Sequence, residues 1–144
     1  MASISDRTGN VIKRAEQALM AAKNAALRPL GLTVPQYAAL FLLAEQPGLS
    51  GAELARRALV TPQTMSTVLA NLERKGLIER STHPIHTSIV EIRLTRPGAE
   101  VLSAADDAAI RVEAAIDDVL RSDRASLHQL LARAIQALDD DRAR

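Results

Sequence analysis

The chain has 144 residues and a formal net charge of +1, a length that suits one domain or one compact domain with helical extensions. Its apolar fraction is 47%, yet Tyr37 and Phe41 are its only aromatic residues besides histidine, so the core must come from Ala, Leu, Val and Ile in closely packed helices. The lack of cysteine excludes disulfides, thiolate catalysis, cysteine-bound zinc and thiol redox sensing.

The charge is unevenly spread. Residues 50–96 carry seven basic and four acidic groups, whereas residues 97–144 carry six basic and ten acidic. A basic middle beside an acidic last third suits a polyanion-facing module held by other elements. No run of about 18 apolar residues and no apolar leader is present, so a cytoplasmic protein without membrane contact is expected.

Residues 4–28 read as one helix, striped by Val11, Ile12, Ala15, Leu19, Ala22 and Ala26. Pro29 and Gly31 stop it. In "TVPQ", Thr33 and Gln36 form a capping-box pattern that opens a second helix, which carries Tyr37, Leu40, Phe41 and Leu43 and ends at Gln46-Pro47-Gly48. A further capping box, Ser50 with Glu53, opens "SGAELARRALV". Thr61 as N-cap and Pro62 at the first helical position open "TPQTMSTVLANLERKGL", which ends with Arg74, Lys75 and a stop at Gly76.

From Leu77 the apolar period shortens to two. Val90, Ile92 and Leu94 are expected on one packed face, and residues 77–94 make a hairpin with His83 to Thr87 at its tip and Pro84 in the turn. Two long helices follow, from Thr95 or Arg96 to about Leu120 and from about Ser122 to Leu138, leaving "DDDRAR" as a solvated tail. Three striped helices at the chain ends exceed what one small middle can cover, which points to a dimer interface.

The fold class expected is therefore mainly α with a small β-hairpin wing: a winged helix-turn-helix with N- and C-terminal dimerisation helices. Residues 1–30 would form the first dimerisation helix, 31–96 the DNA-binding domain and 97–144 the last dimerisation helices. Leu54, Ala55, Val60, Met65, Val68 and Leu69 face inward between the two short helices. Leu59 occupies the turn where a glycine would relieve a left-handed conformation.

The outer face of the second helix is polar. Pro62, Gln63, Thr64, Ser66 and Thr67 lie near its N-terminus, where short side chains can enter a major groove about 12 Å wide and meet base edges. Phosphate contacts are expected from Ser50 and Thr61 at helix N-termini, and from Asn71, Arg74, Lys75 and Arg80 beside the reading face.

The stretch from Leu32 to Leu102 resembles the MarR family of bacterial transcription regulators. "L-x-x-K-G-L-I-x-R" at Leu72 to Arg80, and "L-T-x-x-G" at Leu94, Thr95 and Gly98, carry the resemblance. It implies a homodimer formed by the first and last two helices, a pseudo-palindromic double-stranded DNA operator, and repression relieved by a small phenolic or aromatic acid. It also implies a wing-tip arginine in the minor groove. Here His86, Thr87 and Ser88 stand at that place, so His83 or His86 is left to make a lesser contact, one that tightens as imidazole takes a proton in mild acid.

No metal is expected, because the two tip histidines have no carboxylate or thiolate close by and structural zinc takes four ligands. No cofactor is expected either. For an effector, the resemblance points to a crevice that Tyr37, Phe41 and Arg14 could line, although both rings suit a core better and Arg14 equally suits the surface. A catalytic triad, glycine-rich phosphate loop and HExxH motif are all lacking, which argues against an enzyme. A winged helix that docks protein without reading DNA is the rival reading.

Overall fold

The computed structural model describes residues 1–144. Contacts divide the chain into two compact units, Met1–Ile110 and Arg111–Arg144. No single helix is long and apolar enough to cross a membrane.

In the first unit the helix expected over 4–28 is broken near its start. Ile4–Asp6 form a separate 3-10 turn capped by the Ser3 side chain, Arg7 is extended, and α1 spans Thr8–Leu27. Only Leu27 of α1 is buried; Val11 and Ile12 lie exposed. A 3-10 turn, Arg28–Leu30, and Gly31 at φ 72° reverse the chain.

Helix α2, Val34–Glu45, has the expected capping box: the Gln36 N–H donates to Thr33 Oγ1 (3.4 Å), and the Thr33 N–H donates to Gln36 Oε1 (3.1 Å). Asn24 of α1 accepts from the Val34 N–H, fastening the two helices at that corner. Helix α3, Gly51–Arg57, has its own box, with Ser50 and Glu53 exchanging bonds. The Ser50 N–H and then its hydroxyl, both donating to the Glu53 carboxylate, hold that carboxyl below its ordinary value.

Helix α4, Pro62–Arg74, crosses α3 and buries Met65, Val68, Leu69 and Leu72 against Leu54 and Ala55, while Val60 is half-buried in the turn between them. That turn holds Leu59 at φ 59° with its side chain 91% exposed. The left-handed conformation costs a residue with a Cβ about 1–2 kcal/mol, and an exposed leucine has little packing to set against it. Leu59→Gly is expected to raise unfolding free energy by about 0.5–1 kcal/mol, after the extra freedom of glycine in the unfolded chain is deducted. Urea denaturation at fixed protein concentration measures this; a lower midpoint for the variant would contradict it.

The wing is an antiparallel pair, β1 Ile78–Thr82 and β2 Val90–Leu94, in register from Ile78 opposite Leu94 to Thr82 opposite Val90. Ile78 and Ile92 enter the core, and the Gly48 N–H donates to the Ile92 carbonyl at 3.0 Å, so the α2–α3 loop lies along β2. The packed face expected from Val90, Ile92 and Leu94 is only partly realised. Ile92 is buried and Leu94 half-buried, but Val90 is exposed because the hairpin overhangs the body beyond Ile92.

Helix α5, Arg96–Leu120, begins at Thr95, whose hydroxyl donates to the Gly76 carbonyl (2.6 Å) and accepts from the Gly98 N–H (3.1 Å). Its first half buries Leu102, Ala105, Ala108 and Ala109.

The second unit holds the remainder of α5, a 3-10 turn at Arg121–Asp123, and α6, Arg124–Arg142. Arg121 takes φ 50° in the reversal, and Arg124 Nε lies 3.0 Å from Asp117 Oδ1 across it. Asp139 to Asp141, expected in a solvated tail, are exposed but helical, with Arg142 in the last turn to complement the carbonyl end. Ile116, Val119, Leu130, Leu131, Ile135 and Leu138 all stand exposed.

Candidate nucleic-acid interface

The polar face of α4 starts from its cap. Thr61 Oγ1 accepts from the Thr64 N–H at 3.1 Å, and the Thr61 hydroxyl donates to Thr64 Oγ1 at 2.9 Å. Pro62 follows, where its missing N–H costs nothing. Pro62, Gln63, Thr64, Ser66 and Thr67 are all exposed, while Met65 and Val68 between them are buried. The helical period thus separates an exposed polar face from a buried anchoring face.

Hydrogen bonds within the helix set what each side chain can offer. Thr67 donates its hydroxyl proton to the Gln63 carbonyl (3.3 Å), so its oxygen is left as an acceptor. Thr64, whose oxygen already accepts from Thr61, retains its proton for donation. The Gln63 amide carries both donor and acceptor, the pair that matches adenine N6 and N7.

The residues expected at phosphate are less free than their charges suggest. Ser50 is committed to Glu53 through both its N–H and its hydroxyl. Arg74 donates to Asn71 Oδ1 at 2.8 Å and keeps its full charge. Lys75 Nζ donates to the Gly31 carbonyl at 2.5 Å, reaching across to the end of α1. Arg80 Nε lies 2.6 Å from Glu73 Oε2, so its charge is balanced and β1 is pinned to α4. A shallow cleft of about 420 Å3 between helix and wing is lined by Ala70, Glu73, Arg74 and Arg80. A second, of about 410 Å3, joins Gln63, Thr64, Thr67 and Asn71 to Thr33 and Gln36 at the start of α2.

At the wing tip, His83 Nδ1 accepts from the N–H groups of Ile85 and His86, each at 3.1 Å. The His83 and His86 rings lie 5.3 Å apart. The expectation that no carboxylate is near these histidines is corrected: Glu91 Oε1 lies 3.7 Å from His83 Nε2, brought there by the pairing of the two strands. His86, Thr87 and Ser88 are exposed.

For the suggested effector residues, the Tyr37 and Phe41 rings lie 6.0 Å apart, and the Tyr37 hydroxyl donates to Asp106 Oδ1 at 2.6 Å. Phe41 is at the edge of exposure and Arg14 is exposed. Sequence reasoning missed Glu73, Asp106 and the Gly31 carbonyl as partners. Only Glu73 had a local signal, as an acidic residue one position before the arginine that ends α4.

Two crossed helices, a capped polar face and a hairpin fixed beside it define a winged helix-turn-helix protein. The profile of the MarR family matches residues 30–85. HTH-type transcriptional repressor Rv2887 of Mycobacterium tuberculosis is 50% identical over 72 residues, which is 50% of this chain and 52% of that protein. The aligned stretch therefore spans about half the length of the curated relatives it matches. Over a longer span, the crystal structure of that MarR family protein in complex with salicylic acid is 34% identical, with a TM-score of 0.66 covering 94% of this chain and 99% of the other. The repressor CouR bound to a 23-mer DNA duplex is 28% identical, with a TM-score of 0.84 covering 94% and 96%. The chain belongs to the MarR family, a family of transcription regulators.

Proposed function

We propose that this protein is a cytoplasmic, non-catalytic repressor that binds double-stranded DNA in a sequence-specific manner as a homodimer and is released by a small aromatic acid. The observation that carries this reading is the face of α4: Gln63, Thr64, Ser66 and Thr67 exposed together on a helix whose N-terminus is fixed by Thr61. Base contacts would come from Pro62 to Thr67. Phosphate contacts would come from Thr61, Asn71 and Arg74, with Ser50, Lys75 and Arg80 contributing only where their internal partners yield.

Dimerisation is supported by the exposed Ile116, Val119, Leu130, Leu131, Ile135 and Leu138, because helices that leave such a stripe in water mark an interaction surface. Two reading helices in a dimer would meet major grooves about 34–36 Å apart on a pseudo-palindromic site. The effector reading is supported by the salicylic acid in the Rv2887 structure. Tyr37 and Phe41 would supply ring contacts and Arg14 a partner for the acid.

The test is binding to the duplex immediately upstream of the protein's own coding sequence, at two salt concentrations, against a random duplex. Selective binding at two chains per site is expected, with affinity falling steeply as salt rises. Equal affinity for both duplexes would favour a module that docks protein instead.

A further inference from the structure

The wing tip carries an apolar side chain where a cation would be the simpler way to hold DNA. Residues 83–89 contain no lysine, arginine or carboxylate. The two arginines of the strands are both paired, Arg80 with Glu73 and Arg93 with Glu91 at 3.0 Å. At the apex, Ile85 is 80% exposed, with Ile89 and Val90 also exposed beneath it.

This apex is ordered by specific bonds. His83 Nδ1 accepts from the N–H groups of both Ile85 and His86, acting as a side-chain cap for the tip. The His83 N–H donates to the Ile89 carbonyl, and the Ile89 N–H donates to the His86 carbonyl, each at 2.9 Å. Pro84 fixes the backbone just before Ile85. A β-branched hydrocarbon is thus held out in water by a preformed turn, an arrangement that lowers the ordering cost of inserting it elsewhere.

Its position relative to α4 indicates where. The ion pair between Arg80 and Glu73 fastens the middle of β1 to α4. Ile85 follows Arg80 by five residues, two of them in β1, which at about 3.3 Å each lets the tip reach up to roughly 17 Å beyond that point. That is about half of the 34–36 Å helical turn of DNA. Half a turn along one face of a duplex separates a major groove from the neighbouring minor groove. A tip with that reach would stand over the minor groove when α4 lies in the major groove.

We infer that Ile85, presented by the His83-capped turn, is an apolar wedge that enters the minor groove flanking each half-site and selects sequence there. The inference rests on the DNA-binding reading above. Isoleucine and proline are among the side chains that proteins press into the minor groove to open a base step, and such contacts favour steps that unstack easily. The groove floor matters too. The N2 amino group of guanine projects into it and obstructs an apolar side chain, so A·T pairs at the flanks are preferred. Because no charge is involved, the wedge adds affinity without adding to the salt dependence.

The experiment uses the full chain and the duplex from upstream of its own coding sequence, with the bound segment located by footprinting. Wild type and Ile85→Ala are compared on that duplex and on one carrying 2,6-diaminopurine in place of adenine at the flanks. The analogue adds an amino group in the minor groove and leaves the major-groove edge unchanged. Ile85→Ala should bind the natural duplex about tenfold more weakly, because alanine leaves most of the wedge hydrocarbon out of the groove, with an unchanged salt slope. Diaminopurine should weaken wild type by a similar factor and leave Ile85→Ala unaffected. Since Ile85 is exposed, the variant keeps its fold, which circular dichroism checks. Equal affinity of the two proteins for the natural duplex overturns the inference, as does equal sensitivity to diaminopurine. If wild type itself does not prefer this duplex to random DNA, the DNA-binding reading fails and the wedge falls with it, an outcome visible before any variant is compared.

Discussion

Replacing Gly98 by alanine is expected to lower the unfolding free energy by about 3 kcal/mol or more, although alanine normally improves a helix by about 1 kcal/mol over glycine. The sign reverses because of one backbone atom. A Cβ at position 98 would stand 2.0 Å from the Leu77 carbonyl oxygen and 3.0 Å from its carbon. That carbonyl cannot easily retreat, since it accepts from the Thr95 N–H at 3.1 Å. Thr95 in turn bonds Gly76 and Gly98 through its hydroxyl. Accommodating one methyl group therefore means parting the start of α5 from the base of the wing. Thermal unfolding at fixed protein concentration should show a midpoint about 10 °C lower for Gly98→Ala. Gly9→Ala, in α1 with nothing within 4 Å of its added Cβ, is the matched control and should not destabilise. A Gly98→Ala midpoint at or above that of wild type would show that the junction yields more readily than its bonds suggest.

Gln63→Ala is expected to lower affinity for the operator by about ten- to a hundredfold while leaving binding to random DNA unchanged. A bidentate contact between a glutamine amide and adenine discriminates by about 1–3 kcal/mol against other bases. The substitution removes little else. Gln63 is exposed, its backbone carbonyl still accepts from Thr67, and the cap at Thr61 does not involve its side chain. Affinity for the natural duplex and for duplexes altered at one base pair per half-site gives the answer. A uniform loss over all sequences would remove Gln63 from base reading and leave it a general contact.

Much of the winged-helix fold was legible because its signals are local. Thr33 with Gln36, Ser50 with Glu53, and Thr61 before Pro62 each bring together residues no more than three apart. Leu59 was legible for the same reason: a turn that short between α3 and α4 requires a left-handed residue. The exposed face of α4 follows from its period. What was hidden joins distant residues. Glu73 neutralises Arg80 across a change from helix to strand, Lys75 reaches Gly31, and Tyr37 reaches Asp106 on α5. The α5 stripe was visible as a whole, but periodicity could not tell that Ala105, Ala108 and Ala109 are buried while Ile116 and Val119 are not. Hydrophobic patterning says which residues want cover, and it is silent about where the cover comes from.

The bond from Lys75 to the Gly31 carbonyl gives α4 a flexible tie in addition to its packed face. It ties the C-terminal end of α4 to the turn that closes α1. The 13 residues of α4 extend about 20 Å, so a 1 Å displacement of Gly31 that Lys75 follows swings the helix by about 3° around its capped N-terminus. A rotation of that size moves the tips of long side chains by a few tenths of an ångström, comparable to the tolerance of a hydrogen bond. The pitch of α4 is thus held by its buried Met65, Val68, Leu69 and Leu72, and Lys75 adds a flexible arm to the foot of α1 that can lengthen or let go where a packed contact would have to be torn.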